Sequence, residues 1–177
     1  MQVFNFDRLA KGRAIFLRDI TLYLREKCFV TIGRFNEWED ETKPPVVTDF
    51  TSTDETIIYK RPRLIMLATK TNCGGISCGD KTINDDKYYL IDPANPDVVN
   101  SNATNIYIEA DIRFRDYLCA YFRTSSIVIG ATAPSANRIL FKPEEMTNKG
   151  EVYVSTNHTR ITREDNRRHI IKQLISL

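Results

Sequence analysis

The chain of 177 residues predicts a mostly β (α+β) fold: a β-sandwich-like single domain with one N-terminal helix and long loops. Three observations lead there. Only one stretch, about 7–27, repeats its apolar residues at helical spacing. From residue 28 onward, short runs of Val, Ile, Thr, Tyr and Phe alternate with clusters of Pro, Gly, Asn and Asp, the pattern of strands and turns. The length is enough to bury a core without disulfides or metals. The expected organisation is one domain over 1–177, made of a helix at about 7–27 and a β-rich body over 28–177.

In the helical stretch, Leu9, Phe16, Leu17, Ile20 and Leu24 form an apolar stripe, with Arg8, Lys11, Arg18, Arg25 and Glu26 largely outside it. Gly12 weakens the first turn, which predicts a helix start near Arg13. Strands are predicted over 29–32, 56–59, 64–68, 88–91, 106–110, 127–129, 152–154 and 169–177. In the last of these Ile171, Gln173, Ile175 and Leu177 share one face, and Ile170, Lys172 and Leu174 the other. Apolar groups on both faces predict a strand covered on both sides, by the N-terminal helix or by a second subunit. Long loops are expected at 36–52, 72–86 and 92–102, a length more typical of functional or partner-ordered segments than of idle connections.

Charged residues make up 27% of the chain and the net charge is only +2. That balance is unlike a protein built on a phosphate backbone, where a domain pI above about 9 is the usual footprint. No run approaches the roughly 20 apolar residues that cross a bilayer. The opening residues lack the basic start and apolar core of a signal peptide. The expectation is therefore a cytoplasm-like compartment, no membrane, and Cys28, Cys73, Cys78 and Cys119 as reduced thiols.

Cys73 and Cys78 flank a glycine pair that would let two thiols converge, but a structural zinc needs four ligands. Cys28, Cys119, His158 and His169 are scattered singles, so the pair reads as a local thiol pair in a flexible loop, with no metal and no cofactor. Gly74-Gly75 lacks Walker spacing. His158 and His169 stand in no recognised nucleophile motif, although Cys119 with His158 is a pair that could meet in space. The expectation is no catalytic residues. Glu37, Glu39, Asp40 and Glu41 read as a solvated loop. Arg160, Arg163, Arg167 and Arg168 are interrupted by Glu164-Asp165 and lack aromatic stacking partners. They read as an interface or a solvated loop, since the arginine fork suits carboxylates at protein contacts.

The most distinctive stretch begins at Phe29-Val30-Thr31-Ile32, stops at Gly33, turns through Arg34-Phe35-Asn36-Glu37, and presents the only tryptophan, Trp38. An acidic stretch and Pro44-Pro45 follow. Trp38 reads either as a core tryptophan closing one end of the β-domain or as an anchor at a subunit contact. Further on come Ile112-Arg113-Phe114, Tyr121-Phe122-Arg123, Ile127-Val128-Ile129, Glu144-Glu145-Met146, Gly150-Glu151-Val152-Tyr153-Val154, Asn157 and the terminal alternating run. In this order the segments resemble, in a shortened form, the baseplate wedge subunit family of contractile-tailed, T4-like bacteriophages (the gene 8 product family). The resemblance covers both ends of the chain and fades between about Leu67 and Ile106.

That resemblance implies a structural virion protein of the tail baseplate, assembled in the host cytoplasm and not an enzyme. It also implies docking to other baseplate wedge subunits, a homodimer within the wedge, and rigid-body rearrangement when the sheath contracts. Arg34, Trp38, Arg163, Arg167 and Arg168 are the candidate subunit-interface residues. A second reading is a small single-stranded nucleic-acid-binding β-barrel, with Tyr59, Tyr88, Tyr89 and Tyr107 as stacking platforms. A third is a thiol- or zinc-dependent enzyme. The structural reading expects no nucleic acid.

Overall fold

The computed structural model describes residues 6–47, 55–71, 73, 75–83, 85–116, 121–162 and 168–176. The elements run as helix α1 (Phe6–Lys27) and strands β1 (Cys28–Gly33), β2 (Thr56–Lys60), β3 (Leu64–Thr69), β4 (Gly79–Ile83) and β5 (Asp86–Ile91). After them come β6 (Asn105–Arg113), β7 (Tyr121–Ile129), β8 (Leu140–Phe141), β9 (Glu151–Thr162) and β10 (Arg168–Ser176). The expected class holds: mostly β, one α-helix, two antiparallel sheets. Contacts divide the chain into two compact units. One takes 1–26, 64–109 and 172–177, the other 27–63 and 110–171, so the boundary falls inside β6 and inside β10.

The first unit holds the sheet ordered β10-β6-β3-β5-β4. Ala68, Ile83, Tyr88, Leu90 and Tyr107 are buried together, with Leu64, Met66 and Leu174 packed against them. Helix α1 buries Ala14, Leu17, Thr21 and Leu24, spaced three, four and three apart, which is one face of a 3.6-residue period. Thr21 turns its hydroxyl back to donate to the Leu17 carbonyl at 2.6 Å. Arg25 donates to the Ile65 carbonyl at 3.2 Å and pairs with Asp92 at 2.9 Å.

Two expectations for this helix are corrected. It begins at Phe6 and runs through Gly12, because the roughly 1 kcal/mol that one glycine costs a helix interior is too little to stop the helix. Phe16 does not belong to the buried stripe and is 59% exposed; the inward face is rotated towards Ala14 and Thr21.

The 72–86 stretch, expected as a loop, contains β4. It pairs antiparallel with β5 from Gly79↔Leu90 to Ile83↔Asp86, and Asp85 at the turn has φ 68°. Asp85 is of a residue type that tolerates this left-handed conformation. The strand lies at the sheet edge and is mostly exposed, so its polar composition concealed it. The expected reduced pair is corrected as well: Cys73 and Cys78 form a disulfide. Gly75, at φ 84°, turns the chain back, and the Ile76 N–H donates to the Cys73 carbonyl at 3.2 Å. Cys28 is the free cysteine among the described residues, and Cys119 lies outside them.

The second unit holds the sheet ordered β8-β2-β1-β7-β9. Its central strand β1 is buried along its whole length, as an apolar run with no alternation requires. Phe29, Tyr59, Val128, Ala131, Phe141 and Met146 form one core cluster, and Ile32, Ile57, Ile58, Ile112 and Phe122 another. Ile171 of β10 packs on the latter, whereas Leu174 serves the core of the first unit.

At the end of β1, a Cβ on Gly33 would lie 2.6 Å from the Glu55 carbonyl oxygen and 2.9 Å from the Thr124 hydroxyl. Glycine is what lets β1 meet both neighbours there.

The rotated helix face gives a direct test. Leu17→Ala should cost about 3 kcal/mol, the usual price of emptying a core leucine site. Phe16→Ala should stay within about 0.5 kcal/mol. Urea unfolding of the two variants separates the faces, and comparable losses would mean that the inward face has been misassigned.

Candidate functional site

The segment that leaves β1 folds over the sheet of the second unit, and one buried cation organises it. Strands β7 and β9 pair regularly from Ile129↔Glu151 to Thr124↔Asn157, apart from one bulge, and again at Phe122↔Ile161. Between these, His158, Thr159 and Arg160 of β9 stand opposite Arg123 alone. Such a bulge re-aims side chains. The Arg123 side chain is only 1% exposed. Its Nε donates to Glu41 Oε1 at 2.6 Å and one terminal nitrogen donates to the Phe35 carbonyl at 2.5 Å. Glu37 approaches the other terminal nitrogen at 3.6 Å, and the Tyr121 ring lies under the guanidinium at 5.0 Å.

Glu41 also accepts from the Trp38 N–H at 3.1 Å. Desolvation is the largest single influence on its carboxyl and pushes it upward. The hydrogen bonds from Arg123 and Trp38, with the charge of Arg123, outweigh it and hold Glu41 below the ordinary carboxylate range. Asp40 is held low as well, by the hydroxyl and then the N–H of Thr42. Glu41 is therefore not the idle solvated residue expected of it, whereas the exposed Glu37, Glu39 and Asp40 fit that expectation.

Trp38 lies between its two readings. It is half-buried; its indole N–H donates to the His158 carbonyl at 3.0 Å, capping a group that the bulge removes from the ladder. The Arg34 guanidinium stacks on its ring at 3.9 Å. Arg34 is itself at φ 57°, a conformation that costs an L-residue roughly 1–2 kcal/mol. Its N–H donates to the Glu55 carbonyl at 3.1 Å and its side chain pairs with the Glu55 carboxylate at 3.0 Å. Asn157 donates to the Pro45 carbonyl at 2.9 Å and fixes the far end of the segment. A cavity of about 330 Å³ lies beneath, lined by Thr31, Thr124, Ser126 and Ser155 on the sheet and by Trp38 and Val46 above.

Arg34 and Trp38 are thus brought together, while Arg168 belongs to a different cluster. It approaches Asp111 at 3.8 Å. Asp111 also accepts from Arg113 at 3.1 Å and faces the buried Lys60 at 3.8 Å, and Lys60 pairs closely with Asp116. Arg163 and Arg167 lie outside the described residues. The sequence reading gave Arg123 no role of its own and took Glu41 as part of a solvated loop. The available signal was an arginine next to the apolar Phe122 in a strand, which demands a carboxylate, and the acidic 37–41 stretch is the richest source of one.

The chemistry of catalysis is poorly served here. The Cys28 thiol is pushed up to about 12 by burial, the opposite of an activated nucleophile. His158 and His169 each set an edge against the Phe122 ring at 5.3 Å. His158 Nδ1 faces the Thr159 carbonyl at 2.9 Å and must donate to it, so Nε2 is the unprotonated nitrogen. That nitrogen is buried with no partner among the described residues. Burial lowers the His158 pKa, with the Thr159 bond opposing. Among the described residues no group of three His, Cys, Asp or Glu side chains could hold a metal, and no helix is long and apolar enough to cross a membrane. Of the tyrosines read as stacking platforms, Tyr59 and Tyr107 are fully buried and Tyr88 nearly so; only Tyr89 offers a partly open ring.

Two outcomes follow. Arg123→Met should destabilise by about 1–3 kcal/mol, because it removes the donors that Glu41 and the Phe35 carbonyl accept from. Arg123→Lys should recover only part of that, and chemical denaturation measures both. The second concerns pH. His158 has a folded pKa below its unfolded value of about 6.5, so as pH falls the unfolded chain takes up the proton first. Stability should be full above about pH 7 and decline below about 6.5. The His158→Asn variant should show a flatter profile over that window, and an identical slope in both proteins would refute the assignment.

A search of curated proteins found no match. The family model described as baseplate wedge 3 tail fiber network component matches residues 18–177. A match over that length establishes the family: the chain belongs to a phage baseplate wedge family of structural components, which places it in the virion tail among other baseplate proteins.

Proposed function

We propose that the protein is a wedge subunit of a contractile tail of the T4 type, related to the gene 8 product, and that it works by docking neighbouring wedge subunits rather than by catalysis. The observation that carries this reading is the rigid presentation of apolar groups by the 34–47 segment. Phe35 is 47% and Val46 85% exposed, yet Arg123, Glu41, Trp38 and Asn157 pin the backbone that carries them. A preordered loop loses little freedom on binding, so its exposed apolar groups contribute more of their burial to affinity. In this reading Arg34 and Trp38 form the base of the contact, and Arg163, Arg167 and Arg168 offer forks to partner carboxylates.

The same reading takes 1–177 as one functional domain, present as a homodimer within each wedge, assembled in the host cytoplasm and acting without nucleic acid. The family supports the setting, and the burial of Tyr59, Tyr88 and Tyr107 takes three of the four tyrosines read as stacking platforms out of reach of a base.

The test is reconstitution with the other wedge subunits of the same particle, followed by sedimentation. Phe35→Ser and Val46→Asp alter exposed groups, so each variant should melt like the parent. Together they should weaken incorporation by about tenfold or more, the effect expected at an interface centre. Unchanged incorporation of the double variant would place docking elsewhere.

A further inference from the structure

The second unit buries one lysine against two carboxylates. Lys60 ends β2, and its side chain is only 4% exposed. Its Nζ is in direct contact with Asp116 Oδ2, in the short turn Phe114–Asp116 that follows β6. Asp111, on β6 itself, is 7% exposed and brings Oδ1 to 3.8 Å from the same Nζ. The two acids are held differently. The Arg113 N–H donates to Asp116 Oδ2 at 2.8 Å and fixes that carboxyl beside the amine. Asp111 is held by its other oxygen: Oδ2 accepts from Arg113 Nε at 3.1 Å, and Arg168 approaches it at 3.8 Å. Oδ1 is therefore the oxygen turned to Nζ. A buried ion pair gains little net stability, because desolvation of both charges offsets their attraction. A reaction that removes one cation and one anion together ends that cost, and it leaves Asp111 with the two arginines that already answer it.

We infer that Lys60 and Asp116 join spontaneously in the folded protein as an intramolecular amide, with Asp111 as the proton carrier. The step balances without an oxidant or a cofactor. Nζ passes one proton to Asp116 Oδ2 across their contact, and its freed electron pair forms the bond to Cγ. Asp111 Oδ1 takes a second proton from Nζ and returns it to the hydroxyl on Cγ. That hydroxyl leaves as water with the electrons of the broken C–O bond, and the third hydrogen stays on the amide nitrogen. Holding amine and carboxyl in contact makes the reaction unimolecular, and effective concentrations of well-oriented groups reach roughly 10⁵–10⁸ M. Burial then keeps water from reversing it. The bond links residues 56 positions apart, so β2 and the end of β6 cannot separate without breaking a covalent bond. The first unit supplies a comparison. Lys81 also contacts Glu109, but Lys81 is 25% exposed, and beside the carboxylate stands the Tyr107 hydroxyl at 2.5 Å, a donor and not a proton acceptor. That pair stays ionic.

Intact-mass spectrometry of the denatured full chain, with its disulfide reduced, reads the bond directly. The parent, incubated after purification until its mass is constant, should be lighter than its sequence requires by one water. Fragmentation of a tryptic digest should yield a branched peptide joining Lys60 to Asp116, with Lys81 and Glu109 unlinked. Lys60→Met and Asp116→Ala should each show the full mass of their own sequence. Asp111→Asn keeps both reacting groups and should still melt cooperatively, but it should form the bond at least about a hundredfold more slowly, the loss expected when a proton carrier is removed. A parent at its full sequence mass would overturn the inference, and that measurement depends on no variant's folding. A loss of water mapped to any other pair of residues would overturn it too, as would bond formation at the parent rate in Asp111→Asn.

Discussion

Burial of the Arg123 guanidinium, to 1% exposure, is the constraint on which the second unit's working surface depends. A desolvated cation is tolerated only where its donors are all answered, and the answering groups come from one segment: the Glu41 carboxylate and the Phe35 carbonyl. That requirement fixes where the segment crosses the sheet. Once Glu41 is held, it accepts from the Trp38 N–H, and Trp38 reaches the His158 carbonyl. The bulge in β9 follows the same logic. Three residues opposite one would leave backbone groups unsatisfied, and the indole takes up one of them. Arg34, in a left-handed conformation, is kept there by the Glu55 contacts and the Trp38 stack. Removing the central cation would therefore loosen a chain of dependent contacts.

How much of this could be read from residues alone depended on whether the determinant was local. Helix α1 and most strands were legible, because their signals lie within a few neighbouring positions. The helix face was misread at Phe16 because α1 carries two apolar faces, and periodicity cannot say which turns inward when both are apolar. Strand β4 escaped because an edge strand's open positions, Gly79, Asp80 and Thr82, carry the composition of a loop. The site was harder. Arg123 and Glu41 are 82 positions apart, and nothing local announces their meeting. Trp38 was visible as the only tryptophan, yet its half-buried state depends on a carbonyl 120 positions away.

The two units handle buried charge in the same manner. In the first, Glu109 is 1% exposed and accepts from Tyr107 at 2.5 Å, with Lys81 paired to it. In the second, Lys60 lies between Asp111 and Asp116. Apolar replacements of similar volume would be no less stable in general, because desolvation consumes most of the attraction. Hydrogen-bonded charges have direction, however, and hydrophobic contacts have almost none. A loop seated on grease can slide by an ångström at little cost, whereas a loop seated on a fork cannot.

That distinction separates the two exposed apolar surfaces. Phe35 and Val46 ride on a loop whose backbone is fixed by directional bonds to Arg123 and Asn157. The outward face of α1 is different: its exposed side chains, Ile15, Phe16, Leu22 and Tyr23, sit on a regular helix. The acid in their midst, Asp19, is already answered by Arg18 of the same helix, so its directional bonds are spent within the element and tie it to nothing else.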